Sequence, residues 1–75
     1  MSRLILINAK AFERLLFTLG FQKVRQKGSH AIYKHEDGRT TAIPFHSGKD
    51  LPRPLIRSIL SEIKISIDEY NDLLG

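Results

Sequence analysis

Seventy-five residues fall short of the usual size of one domain, so residues 1–75 are expected to form a single unit around one thin core. No cysteine is present, which excludes disulfides, zinc ribbons and thiol nucleophiles and suits a reducing compartment such as the cytoplasm. A formal net charge of +4 favours an anionic partner, and the charge is uneven: residues 1–57 hold eleven Lys and Arg against four Asp and Glu, residues 58–75 one against four.

The apolar stretch Leu4-Ile5-Leu6-Ile7 is too short for a secretory signal or a membrane span. It is expected to lie extended on the domain, and no membrane partner is expected. Asn8 suits an N-cap, Phe12, Leu15, Leu16 and Leu19 follow at helical spacing, and Gly20 offers a left-handed stop, which together give a first helix over 9–19. Two strands are expected over 21–27 and 29–36, interrupted at Gly28. The Asp37-Gly38 dipeptide predicts a type I′ turn into a third, antiparallel strand over 39–44. Pro44, Pro52, Pro54 and the Ser47-Gly48 pair exclude regular structure from 44–54. Leu55, Ile56, Ile59, Leu60 and Ile63 then mark a second helix over 54–63, with Pro54 suited to its first turn. Ser66 with Glu69 forms a capping box for a short last helix, whose one face carries Ile67, Tyr70, Leu73 and Leu74.

These elements predict an α+β two-layer sandwich, α-β-β-β-α with a short C-terminal helix, in which a three-stranded antiparallel sheet carries its helices on one face. The pattern leaves open which side of the second strand faces inward: Ile32 shares a side with His30, and Tyr33 shares the other with Ala31 and His35.

Lys23, Arg25 and Lys27 alternate along the first strand, so on a regular strand they project to one side about 6.8 Å apart and form a phosphate track. A solvated edge strand kept soluble by its charges has the same pattern. Gly28 suits a turn or bulge, and also the approach of a phosphate to backbone N–H groups. His30 follows, and imidazole is the side chain best matched to moving protons at neutral pH. Such a base can deprotonate the ribose 2′-OH beside a phosphodiester, which makes RNA rather than DNA the substrate and requires no metal. An ordinary polar histidine is the alternative. Ser29 and His30, adjacent on a strand, would point to opposite faces, which disfavours a serine–histidine dyad.

The three histidines, His30, His35 and His46, with Asp37 match no metal-ligand spacing, and there is no glycine-rich nucleotide loop, so neither a metal nor another cofactor is expected. His46 suits a phosphate or the loop backbone. Lys49, Arg53 and Arg57 extend the positive charge, either as an RNA clamp or as solvated side chains. Tyr33 and Phe45 suit base stacking or core packing.

The run Arg25-Gln26-Lys27-Gly28-Ser29-His30, with Tyr33, Asp37-Gly38-Arg39, Thr41, Pro44-Phe45-His46 and Gly48-Lys49-Asp50-Leu51, resembles the HicA toxin family. The resemblance continues through Leu55-Ile56-Arg57-Ser58-Ile59-Leu60 and the segment Ser66-Ile67-Asp68-Glu69-Tyr70. It implies a double-stranded-RNA-binding-domain-like fold and an mRNA interferase that cuts mRNA and arrests translation and growth. It further implies a HicB-like antitoxin that covers the active surface, giving a toxin–antitoxin hetero-oligomer. In that family the histidine of the Gly-Ser-His motif is catalytic, which maps onto His30, and the glycine maps onto Gly28. The candidate RNA-contacting residues are Lys23, Arg25, Lys27, Gly28, Ser29, Lys34, His46 and Lys49. The chain departs from the family pattern mildly, at 4–7 and at Leu51-Pro52-Arg53-Pro54. A non-catalytic double-stranded-RNA-binding module and a protein-interaction domain are the competing readings.

Overall fold

Asn8 starts the first helix as its residue type suggests: extended itself, it accepts at Oδ1 from the Ala11 amide at 2.8 Å, and α1 runs Ala9–Thr18. Its stop is a pair of backbone bonds, Gly20 N–H to the Phe17 carbonyl and Phe21 N–H to that of Leu16, so the helix ends one residue before the expected 19. The computed structural model describes residues 3–45 and 48–75, and the chain continues through β1 (Gln22–Lys27), β2 (His30–Lys34), β3 (Thr40–Pro44), α2 (Arg53–Ile63) and α3 (Ile67–Leu74).

The strands lie in the order β1-β2-β3, antiparallel throughout. The fold is thus the expected α+β, double-stranded-RNA-binding-domain-like arrangement. The inward side of β2, open in the sequence, is the Tyr33 side. Ala31 and Tyr33 pair with Ile43 and Thr41, all four are buried, and Thr41 Oγ1 donates to Glu62 Oε1 of α2 at 2.7 Å. Phe12, Leu15 and Leu16 of α1, with Ile56, Ile59, Leu60 and Ile63 of α2, close the core over that face.

Both hairpin turns differ in detail from expectation. Gly38 N–H bonds the His35 carbonyl and His35 N–H bonds that of Arg39, so Glu36, Asp37 and Gly38 form a three-residue loop. Only Gly38 has positive φ (100°), whereas a type I′ turn would need it at Asp37 as well. Ser29 lies outside β2: with Gly28 at φ 59° and Ser29 without positive φ, the two make the tight turn between Lys27 and His30.

The N-terminal segment straps the helical side. Leu4 is buried, Leu51 N–H donates to the Ile7 carbonyl at 2.8 Å, Asn8 bridges to Asp50, and Tyr70 Oη donates to the Ile5 carbonyl at 2.5 Å. These bonds order the described part of 44–54. Extended Pro52 then precedes α2, which begins one residue earlier than expected. Ser66 caps α3 by accepting from the Glu69 amide, as expected. Of its four apolar residues, Tyr70 is fully buried and Ile67 and Leu74 half-buried, but Leu73 turns outward. Among the described residues, no helix is long and apolar enough to cross a membrane.

Candidate functional site

The unbroken phosphate track does not form, because β1 carries a bulge. Lys23 pairs with Tyr33 and the next register pair is Arg25 with Ile32, so Val24 is an extra residue. Partners directly opposite in a ladder share a face. Lys23 therefore stands on the helical side with Tyr33, whereas Arg25 and Lys27, opposite Ile32 and His30, stand on the uncovered side. On a regular strand all three cations would share one side; the extra residue sets Lys23 on one side and Arg25 and Lys27 on the other.

His30 is the first residue of β2, exposed on the open face, with Lys27 opposite on β1 and Pro44 opposite on β3. Facing side chains of an antiparallel pair stand about 5 Å apart at Cβ, so the Lys27 ammonium lies within reach of anything bound at the imidazole. Ile32 and Lys34 continue the same face, with Thr40 and Ala42 on β3. Among the described residues Arg25, Lys27 and Lys34 have no carboxylate partner and are free to meet an anion. In the turn beside His30, a Cβ built on Gly28 meets nothing within 4 Å. The Gly28 and Ser29 amides make no hydrogen bond to another described residue, and such amides can receive a phosphate oxygen. The Ser29 carbonyl accepts from Phe45 N–H at 2.6 Å, anchoring the turn to the chain leaving β3.

Lys23 is engaged beneath the sheet instead. Its Nζ lies 2.7 Å from Glu13 Oε2 and 3.3 Å from Gln26 Oε1, and 5.6 Å from the centre of the Phe45 ring. Tyr33 Oη donates to the same Glu13 oxygen. Burial pushes the Glu13 carboxyl up, but the hydrogen bonds from Lys23 and Tyr33 and the charges of Lys23 and Lys10 outweigh it and hold it below its ordinary 4.5. Burial, then the bond and charge of Glu13, push the Tyr33 phenol well up. Tyr33 is therefore a core residue and not a stacking platform; Phe45, half-buried under Lys23, is packed as well.

The remaining candidates are spread out. His35 is edge-on to Phe21, ring centres 5.1 Å apart, with Nδ1 3.1 Å from both the amide and Oδ1 of Asp37, so it organises the β2–β3 turn. Arg53 Nη1 reaches the Leu4 carbonyl at 3.4 Å, tying the strap, and Arg57 is exposed on α2, in the layer away from the open face. Lys49 is exposed, immediately before the Asp50 bridge. His46 lies outside the described residues. Among the described residues no group of three or more His, Asp or Glu side chains is placed to hold a metal ion.

An exposed imidazole beside unpaired cations can take a proton from a hydroxyl whose neighbouring phosphate those cations hold. Glu13 was not singled out by sequence reasoning, because its role depends on a contact twenty residues away; nor were Gln22 and Val24, because no residue pattern marks the bulge. A family model described as HicA toxin of bacterial toxin-antitoxin matches residues 9–65, from the start of α1 to just past α2. No curated protein matches the chain.

Proposed function

The chain belongs to the HicA toxin family of bacterial toxin–antitoxin systems, and from that premise we propose that it is an endoribonuclease that cuts mRNA with His30 as its proton-transfer group. The observation that carries this reading is the exposed His30 directly opposite Lys27 on the uncovered sheet face. The imidazole removes the proton of a ribose 2′-OH, whose oxygen attacks the adjacent phosphorus. The new O–P bond displaces the 5′-oxygen, which recovers a proton from the imidazolium, and the upstream fragment keeps a cyclic phosphate. Lys27 and Arg25 stabilise the charge that builds on the phosphoryl oxygens, and the Gly28–Ser29 turn offers amides to the backbone. The nucleophile is part of the substrate, so the chemistry requires no metal. DNA lacks that hydroxyl and is not cut.

A toxin of such a system pairs with an antitoxin, and a HicB-like protein that covers the open face would shield the imidazole and the cations together. Acidic groups facing Arg25, Lys27 and Lys34 would speed its association. Lys34, on the same face, is retained as an RNA contact, while Lys23 is assigned to the Glu13 cluster.

Inducible expression of the wild type beside His30→Ala, followed by RNA integrity and growth, tests the proposal. Wild-type expression degrades mRNA and stops growth; the variant leaves both intact, at a purified rate lower by about 10² or more. Undiminished cutting by a folded His30→Ala variant would remove the nuclease reading, and undiminished binding without cutting by the wild type would leave a non-catalytic RNA-binding module.

A further inference from the structure

Val24 is 56% exposed, on a strand whose other residues are all polar, and it lines a depression at the far end of the β1–β2 ladder from His30. The depression has a volume of about 290 Å³, at the lower end of the range of small-ligand sites, and is lined by Gly20, Gln22, Val24, Lys34, His35 and Glu36. Gln22 and Lys34 are register partners across its floor. Lys34 shares His30's face four residues along β2, so the depression lies roughly 14 Å from the imidazole.

From this placement we infer that the depression is a nucleobase subsite that selects a base with an exocyclic amino group about two nucleotides from the cut bond. The inference rests on the reading of the open face as an RNA surface. Its chemistry differs from that of the cationic end. Glu36 repels a phosphate but accepts from an amino group, as on cytosine or adenine. Gln22 brings both a donor and an acceptor, Lys34 brings donors, and the valine methyls supply an apolar contact for a base plane. A single exposed valine is ordinary on a protein surface. Here it stands between an amide, an ammonium and a carboxylate, beside the route an RNA strand would take from His30. Uridine offers only its N3–H, flanked by two carbonyl oxygens that the Glu36 carboxylate repels, and is disfavoured.

The test has two arms. In the first, the purified wild type cuts a random-sequence RNA pool and the new ends are sequenced. Uridine is depleted about tenfold at one position about two nucleotides from the cut, and Glu36→Ala and Gln22→Ala each flatten that bias when counts are normalised to total cutting. In the second, the non-cutting His30→Ala protein binds oligo(C) and oligo(U) hexamers, with oligo(C) preferred severalfold and the preference lost on adding Glu36→Ala. Both positions are exposed, and thermal melts verify that the variants fold. Cut sites without base bias near the bond, or a bias that survives both substitutions, overturn the inference. If the wild type cuts no RNA, the nuclease proposal fails and the second arm decides alone: discrimination sensitive to Glu36 supports the subsite, and equal binding of the two hexamers overturns it.

Discussion

His30 owes its accessibility to its place as the first residue of β2, immediately after a two-residue turn, where the sheet rim holds the ring without covering it. The ladder register sets Lys27 beside it, so under the proposed function one hairpin supplies both the proton acceptor and a cation for the phosphate. The turn glycine is what makes that pairing geometrically cheap. Gly28 at φ 59° occupies a region where an L side chain costs about 1–2 kcal/mol, although the space around it is empty. Gly28→Ala is therefore expected to lower Tm by several degrees in a calorimetric melt without any steric clash. An unchanged Tm would mean that the turn relaxes freely and does not constrain His30.

At the scale of elements, one inserted residue decides which cations belong to the site. The Val24 bulge separates Arg25 and Lys27, on the open face, from Lys23, which joins Glu13 and Tyr33 on the helical side. Because the folded structure holds Glu13 below its ordinary 4.5, the cluster adds stability above about pH 4.5, and this contribution is lost as pH falls through the lowered folded value. Glu13→Gln is expected to flatten that part of the acid dependence, measured as the urea midpoint between pH 6 and pH 3; identical profiles for both proteins would contradict it. Helix boundaries and caps were legible in the sequence to within a residue, because Asn8, Gly20 and Ser66 act through neighbours close in the chain. The bulge was not legible, since Lys-Val-Arg-Gln-Lys keeps the alternation of a regular strand. Nor was the inward side of β2. Ile32 and Tyr33 are both apolar enough for a core, and only the contacts of Tyr33 and Thr41 with the helices decide between them. The hairpin at Asp37-Gly38 was legible but its turn type was not, because one glycine satisfies both a two-residue and a three-residue loop.

The molecule as a whole separates its tasks by layer: helices, strap and buried aromatic residues on one side, and a sheet face carrying Arg25, Lys27, His30 and Lys34 on the other. An RNA strand bound there displaces counterions in proportion to the phosphates neutralised. In the His30→Ala background, replacing Arg25 and Lys27 by Ala should reduce the slope of log affinity against log salt by about 1.4, whereas Lys23→Ala should leave it unchanged. Fluorescence anisotropy over a salt series measures both. An equal effect of Lys23 would mean that RNA reaches the helical side. The chemistry itself is tested most directly on a single linkage. A synthetic RNA carrying one 2′-deoxyribose at a mapped cut site, incubated with the purified wild type, is predicted to bind as well as the all-ribose RNA and to stay intact at that linkage; cleavage there at the all-ribose rate would contradict the account.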